Sequence, residues 1–224
     1  MPMIMRPAVR RSTPGRATYR HGDLYRALLQ AGLELAREGG PDAIVLREAT
    51  RRVGVVPNAA YRHFANRDAL LGAVRSAALA ALADAMEAEI ARFVDEADPA
   101  CMASRARARL RGVGTGYLRF ARRETGLFRT AFAPSLPGPD LGADPARAGR
   151  GGLNPFELLG SALDEMMRAG ALPAAHRPAA EFLAWSAVHG MALLVIDGPL
   201  RGIGEPDAEA LGQRLIDMVE KGLT

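Results

Sequence analysis

Apolar residues in this chain recur at spacings of three and four, which is the period of an α-helix. Leu24, Leu28, Ala31 and Leu35 share one such face, and the pair Gly39 and Gly40 then supplies a stop signal. No segment shows sustained alternation of apolar and polar residues, which a half-buried strand would require. The sequence therefore predicts an all-α fold.

The same periodicity, with its glycine and proline breaks, predicts about nine helices. We expect them over residues 22–39, 46–53, 57–64, 66–95, 102–123, 126–132, 155–169, 178–196 and 206–222. Residues 1–19 have no apolar periodicity and are predicted to form a flexible basic arm. Residues 134–155 hold ten glycines or prolines among 22 residues and are predicted to form a loop.

Charge is distributed unevenly along the 224 residues. Residues 1–75 carry 13 arginines against 6 acidic residues, whereas residues 76–224 carry 16 basic against 19 acidic residues. A basic first third followed by a mildly acidic remainder suggests that the N-terminal part meets a polyanion.

No export or membrane signal is evident in the sequence. The longest charge-free stretch of the C-terminal half, residues 182–196, has 15 residues, whereas a bilayer span needs roughly 20. Cys101 is the only cysteine, which excludes an intrachain disulfide and suits a reducing compartment. We expect a cytoplasmic protein with no membrane partner.

Residues 46–64 have the pattern of a helix-turn-helix. Leu46, Ala49 and Val53 form a buried face on the first helix, and Gly54 stands where the chain must turn sharply. Pro57 fits the first position of a second helix, where no amide donor is needed. Because that helix starts with small residues, its N-terminal end could enter a DNA major groove.

Residues 20–72 resemble the N-terminal domain of TetR-family transcriptional regulators. The matching motifs are Leu46-Arg47-Glu48, Arg51-Arg52, Gly54-Val55, Tyr61-Arg62-His63-Phe64 and Ala69-Leu70. The C-terminal half resembles the subgroup named for a Trp-His-Gly motif. That resemblance is carried by Gly116-Tyr117-Leu118-Arg119-Phe120-Ala121, Leu127-Phe128-Arg129 and Trp185-Ser186-Ala187-Val188-His189-Gly190.

The resemblance implies a domain division into the arm 1–19, a DNA-binding domain 20–72, and a ligand-binding and dimerisation domain 73–224. It further implies a homodimer that binds a pseudo-palindromic double-stranded DNA operator, usually as a repressor. The implied base-edge contacts are Asn58, Ala59 and Ala60, and the implied phosphate contacts are Arg47, Tyr61, His63 and Arg67. The arm could also reach the minor groove.

Three departures from the family pattern affect individual contacts. Val45 and Val56 replace the usual hydroxyl residues before the two helices, so both helices lack a side-chain cap. Arg67 replaces the usual lysine, which keeps the charge but changes the geometry of any phosphate contact.

In the family, the C-terminal helices enclose a pocket for a small hydrophobic or amphipathic effector. The candidate ligand-binding residues are Tyr117, Phe120, Phe128, Met166, Trp185 and His189. Each of them could equally be an ordinary core residue. The last two helices are candidates for the dimer interface, through Phe182, Met191, Val195, Leu211, Leu215 and Met218.

Nothing in the sequence predicts catalysis, a metal site or a cofactor. His176 and His189 have no metal-ligand spacing to another histidine, and Ser161 lies in a helix-surface cluster with no triad. The competing hypothesis is a helical small-molecule-binding or structural protein whose basic hairpin does not read DNA.

Overall fold

The computed structural model describes residues 21–134 and 144–224, and within those ranges the fold is all-α with nine helices. They are α1 (His21–Gly39), α2 (Leu46–Val53), α3 (Pro57–Ala60), α4 (Arg67–Glu96), α5 (Met102–Arg123), α6 (Thr125–Ala131), α7 (Pro155–Arg168), α8 (Ala180–Ile196) and α9 (Glu205–Leu223). The predicted fold class is confirmed. The predicted basic arm and residues 135–143 of the predicted loop lie outside the described residues.

Helix α3 is shorter than the sequence predicts. It ends at Ala60, and residues 61–64 continue as a tight turn in which the amides of His63 and Phe64 both donate to the Ala60 carbonyl. That turn brings Phe64 back into the core, where its ring stacks on Tyr25 with centroids 5.0 Å apart. Phe64 therefore anchors this turn to the core of the N-terminal helices.

Helix α1 packs against α2, α3 and the first turns of α4. Leu28, Ile44, Leu70 and Val74 are completely buried there and form a small core. Asn66 caps α4 by accepting a hydrogen bond from the Ala69 amide at 2.9 Å. The helix then continues into the C-terminal part of the molecule, so one rigid element belongs to both halves of the chain.

Helix α5 occupies the centre of the C-terminal half, packed against α4, α7, α8 and α9. It approaches α4 most closely at two glycines: a Cβ atom added to Gly112 or Gly116 would lie 2.5 Å from the Cα of Ile90 or Met86, respectively. The two helix backbones are therefore in direct contact.

Helix α6 connects the central bundle to α1. A Cβ atom on Gly126 would lie 2.1 Å from the Ala36 carbonyl oxygen, so the start of α6 rests directly on the backbone near the end of α1. Nearby, Arg37 on α1 pairs with Glu124 at 3.0 Å. The two halves of the molecule are thus joined by α6 as well as by α4.

Many arginines of the C-terminal half join helices through ion pairs. Arg119 on α5 bridges Glu89 on α4 and Glu209 on α9, and Arg122 also reaches Glu209 at 3.1 Å. Arg111 pairs with two carboxylates of α9. Part of the arginine excess therefore fastens α5 between its neighbours.

Helix α4 alone, among the described residues, is long and apolar enough to cross a membrane by length and composition. It contains eight buried residues and packs against α5. The core helices of soluble proteins can be equally long and apolar. Its apolar character is explained by this packing.

Candidate functional site

The helix-turn-helix geometry is built by α2, Gly54 and α3. Gly54 has a φ of 76°, in the left-handed region, and its amide donates to the Arg51 carbonyl at 3.2 Å. Pro57 takes the first position of α3, as its ring geometry predicts. Val45 and Val56 precede the two helices without a side-chain cap, and both are exposed.

Three of the residues predicted to contact DNA lie on the surface of this unit. Arg47 projects from α2, Asn58 from α3, and Tyr61 from the turn that follows, where 55% of it is exposed. Ala59 is partly buried. His63 is also partly buried and lies beside Tyr25, with ring centroids 6.4 Å apart.

Two other residues predicted to contact DNA also pack against the protein itself. Ala60 has no exposed surface because it packs into the core, so its side chain cannot meet a base edge. Arg67 donates to the carbonyls of Ile44 at 2.9 Å and Pro41 at 2.8 Å. It thereby holds the start of α4 to the turn before α2, and because its side chain is exposed and keeps further N–H donors, its phosphate contact stays a prediction.

The basic surface of α2 is partly neutralised by acidic neighbours. Arg51 and Arg52 both bond Glu48, and Arg52 also pairs with Glu38 at 2.6 Å. Chiefly through the Arg51 hydrogen bond, these contacts lower the pKa of Glu48 to about 2. Within the described residues Arg47 makes no ion pair, so among the α2 arginines it is the one whose charge no carboxylate compensates.

The C-terminal helices enclose a largely apolar cavity. Its empty volume is about 1120 Å³, measured out to its open mouth. Aromatic residues from α5, α7, α8 and the end of α6 form one part of its wall, namely Tyr117, Phe132, Phe156 and Trp185. Aliphatic residues form another part, including Leu79, Met86, Leu110, Val113 and Val188. A concave, largely apolar wall with a few polar groups is typical of a small-molecule site.

Tyr117, Trp185 and His189 form a hydrogen-bonded cluster at this wall. Trp185 Nε1 donates to the Tyr117 hydroxyl at 3.1 Å, and that hydroxyl lies 2.7 Å from His189 Nδ1. Burial raises the pKa of Tyr117, which therefore keeps its proton. Since an indole N–H only donates, the hydroxyl accepts from Trp185, and the tautomer of His189 sets the direction of the hydrogen bond between the hydroxyl and Nδ1.

The predicted ligand residues divide into two groups. Tyr117 and Trp185 line the cavity, with His189 directly behind Tyr117. Phe120, Phe128 and Met166 are instead buried core residues outside the cavity wall. Most of the other lining residues were not predicted, among them Arg75 and Arg147, whose sequence signal is weak because they lie far apart in the chain.

The half-buried His189 predicts a pH dependence of stability. Burial lowers the pKa of His189 below its ordinary 6.5, so the unfolded chain binds this proton at a higher pH than the folded protein does. Stability is therefore lost as the pH falls through the unfolded pKa, and we expect the free energy of unfolding to decrease from about pH 7.5 to about pH 5.5. Denaturant unfolding monitored by Trp185 fluorescence measures this.

The His189→Gln variant isolates that contribution. It should show a flatter profile over the same pH interval, whereas the losses from paired carboxylates such as Glu48 and Glu38 come at lower pH, where those groups protonate. An unchanged slope in His189→Gln would show that another group carries the effect.

Helices α8 and α9 expose a patch of apolar side chains that we call the α8–α9 surface: Phe182, Leu183, Leu193, Leu194 and Met218. Phe182 and Met218 were predicted there. Met191 and Val195 lie instead in the seam between α8, α5 and α9, and Leu211 and Leu215 are partly buried. Gly190 is exposed on the same helix, and a Cβ atom there would meet nothing within 4 Å.

Across the residues that the structure describes, no group of three or more His, Cys, Asp or Glu side chains is placed to hold a metal ion. The histidines that the sequence singled out are engaged with other partners. His176 lies 3.0 Å from the Leu223 carbonyl, and His189 lies against Tyr117.

Two family models match this chain. One, described as bacterial regulatory proteins of the tetR family, matches residues 28–74. The other, described as a Tetracyclin repressor-like C-terminal domain, matches residues 110–219. The second model is not named for the Trp-His-Gly motif, so assignment to that subgroup stays a prediction.

Solved structures share the fold. A protein of unknown function from Rhodococcus sp. RHA1 is 25% identical, with 93% of this chain and 99% of that chain covered at a TM-score of 0.67. SCO4313, provisionally described as a regulatory protein, is 19% identical, with coverages of 89% and 96% and a TM-score of 0.56. No curated protein matches this sequence.

Proposed function

Because the chain belongs to the TetR family of bacterial transcriptional regulators, we propose that it binds a pseudo-palindromic DNA operator as a homodimer and is released by a small effector. Each protomer would place α3 in one of two successive major grooves, about 34–36 Å apart. The observation that carries the proposal is the helix-turn-helix built around Gly54, joined by the single helix α4 to an apolar cavity.

The proposed DNA contacts follow from exposure and chemistry. Asn58 is the polar exposed residue at the start of α3, and an asparagine can bond the N6 and N7 edge of adenine. Arg47 and Tyr61 flank it with donors suited to phosphate oxygens. Ala59 and His63, both partly buried, would have a smaller share in the contact.

The effector would act through the elements shared by the cavity and the DNA-binding domain. Helix α4 contributes Leu79 and Met86 to the cavity wall, and its first turns hold the core of the helix-turn-helix. Helix α6 contributes Ala131 and Phe132 to the wall, and its other end rests on α1. A ligand that shifts either helix changes the spacing of the two recognition helices, which favours dimers that no longer fit the operator.

In its simplest version, the proposed regulator is a repressor that acts in the cytoplasm and performs no catalysis. Family membership favours it over the competing hypothesis of a structural or small-molecule-binding protein that does not read DNA. Binding to the DNA that flanks the protein's own gene decides between the two, since no specific binding in a footprint would overturn the operator proposal.

Substitutions at Arg47 and Asn58 should weaken operator binding in different ways. Arg47→Gln removes a phosphate contact from each protomer, so we expect about tenfold weaker binding to all sequences and a salt slope that is smaller by about 2 per dimer. Asn58→Ala removes a base contact, so it should relax sequence preference by about 1–3 kcal/mol per protomer with the salt slope retained. Fluorescence anisotropy at several salt concentrations measures both effects.

Arg105→Gln is the matched control. Arg105 is an exposed arginine on α5 in the other half of the molecule, so its removal changes the net charge equally without touching the proposed face. Equal losses in Arg47→Gln and Arg105→Gln would mean that only net charge matters, which contradicts the assigned contact.

A further inference from the structure

Five of the described residues that line the cavity have polar side chains, and four of them already have partners within the protein. Trp185 Nε1 donates to the Tyr117 hydroxyl at 3.1 Å. Arg75 and Arg147 are held by other parts of the chain. The fifth is Asn154, which precedes the first residue of α7 and is only 5% exposed.

The side-chain oxygen of Asn154 is fixed by the helix that it caps. Oδ1 accepts hydrogen bonds from the amides of Phe156 at 2.9 Å and Glu157 at 3.0 Å. The Glu157 carboxylate in turn accepts from the backbone amide of Asn154 at 2.8 Å, which completes a capping box. Because only an oxygen can accept from backbone amides, this arrangement also settles which end of the side-chain amide is Nδ2.

Nδ2 of Asn154 keeps both of its N–H donors. Across the residues that the structure describes, it makes no hydrogen bond. A buried donor without a partner is unfavourable, so such groups are normally satisfied by the protein, by water or by a ligand. Since Asn154 is otherwise enclosed and borders the cavity, the cavity is where an acceptor can reach Nδ2.

From this arrangement we propose that the effector is a neutral apolar molecule with a carbonyl oxygen, which accepts a hydrogen bond from Asn154 Nδ2. This inference rests on the proposed function of the cavity as the effector site and specifies the chemistry of its ligand. The carbonyl of a ketone, ester or amide accepts from an N–H group without bringing a net charge into the cavity, where an unpaired charge would be costly. The aromatic and aliphatic parts of the wall bury the rest of the molecule.

The segment before Asn154 connects this hydrogen bond to α4. The amide of Arg150 donates to Asp84 Oδ1 at 2.8 Å, and the amide of Gly151 donates to Glu87 Oε1 at 3.0 Å. Both carboxylates belong to α4, the helix whose first turns hold the core of the helix-turn-helix. A ligand that pulls on Asn154 therefore acts on α4 through this segment as well as on α7.

A matched pair of probes isolates the carbonyl oxygen. In 2-methyloct-1-ene a CH₂ group replaces the oxygen of octan-2-one, and the carbon skeleton is otherwise the same. Trp185 is the only tryptophan and lines the cavity, so its fluorescence reports occupancy by either probe without any added label. We expect saturable binding of octan-2-one, and its absence would overturn the proposal.

Asn154→Asp tests the donor, because aspartate caps a helix as well as asparagine does but offers a ligand only acceptors. We expect the affinity ratio of octan-2-one to 2-methyloct-1-ene to fall about tenfold or more, where tenfold corresponds to about 1.4 kcal/mol. Asn154→Ser keeps a cap without adding charge, and it should lower the ratio in the same direction. A ratio that both variants leave unchanged would refute the contact.

Asn66→Asp is the matched control. Asn66 caps α4 by accepting from the Ala69 amide, and it is exposed and lies outside the cavity wall. The substitution therefore makes the same chemical change at a helix cap away from the cavity, and the affinity ratio should stay within about twofold of the parent. If Asn66→Asp lowered the ratio as much as Asn154→Asp, the added charge would explain the loss and the site would be refuted.

The ligand class and the proposed function fail separately. Operator binding of the ligand-free protein tests the function alone, and the fluorescence titration needs no DNA. Octan-2-one that binds through Asn154 and also lowers operator affinity supports both, whereas specific operator binding with an unchanged probe ratio removes only the ligand class.

Discussion

Replacing Gly116 with alanine should lower the free energy of unfolding by about 2–3 kcal/mol, although alanine is by far the better helix former. The new Cβ atom would lie 2.5 Å from the Cα of Met86 and 2.9 Å from the Ala85 carbonyl oxygen. The contact with Met86 is about 1 Å shorter than an optimal carbon–carbon contact of roughly 3.5 Å. Because both obstructing atoms belong to the α4 backbone, no rotamer change can relieve the clash.

The effect should extend to function. Moving α4 away from α5 displaces the helix that supports the helix-turn-helix, so Gly116→Ala should also weaken operator binding or its response to effector. Denaturant and thermal unfolding at a fixed protein concentration measure the stability term, with an expected fall in Tm of roughly 5–10 °C.

Gly72→Ala makes the same chemical change where there is open space. Gly72 is exposed on α4, and a Cβ atom there meets nothing within 4 Å, so only the helix preference of alanine remains. We expect Gly72→Ala to stabilise the protein by about 0.5–1 kcal/mol. Opposite signs for the two variants would confirm direct backbone contact, and a Gly116→Ala variant as stable as the parent would refute it.

Most helix boundaries, with the end of α3 as the exception, and the turn at Gly54 could be predicted from the sequence because they depend on local rules. A glycine flanked by two helical patterns implies a left-handed turn wherever the rest of the chain lies. The role of Arg67 could not be predicted in this way, because the carbonyls of Pro41 and Ile44 that it bonds lie more than 20 residues earlier in the chain.

The lining of the cavity was even harder to predict from local sequence rules. Phe128 and Phe132 lie one helical turn apart, yet the first is buried in the core and the second lines the cavity. Arg75 and Arg147 come from distant segments and look like ordinary surface arginines in the sequence. Which apolar residues border an empty volume depends on the packing of several helices, and periodicity does not contain that information.

The orientation of helix α8 is a third feature that the sequence alone does not predict. It is apolar nearly all round, so the sequence predicts that it is covered on more than one side. The sequence does not indicate which of its residues face a partner. The structure orients it: Met191 and Val195 face the seam with α5 and α9, while Leu183, Leu193 and Leu194 are exposed. The proposed dimer interface is accordingly centred on the α8–α9 surface.

Introducing a carboxylate into this surface should disrupt the proposed dimer. Leu183 is 64% exposed and Leu194 is 42% exposed in the single chain. In a two-fold symmetric interface each substitution occurs twice, so Leu183→Glu and Leu194→Glu each bury a pair of unpartnered charges on association. We expect each variant to weaken dimerisation by about 3 kcal/mol or more, which is over 100-fold, and to lose tight operator binding with it.

Sedimentation equilibrium over a range of protein concentrations measures the dimer constant, and operator anisotropy on the same samples measures the functional consequence. Met102→Glu is the control, because Met102 is 70% exposed at the start of α5, outside the α8–α9 surface, and a carboxylate there suits the helix N-terminus. Each Leu→Glu variant should keep the helical content of the parent, since the new carboxylate is hydrated in the monomer. Folded Leu183→Glu and Leu194→Glu proteins that still dimerise as tightly as Met102→Glu would show that the two protomers meet through a different surface.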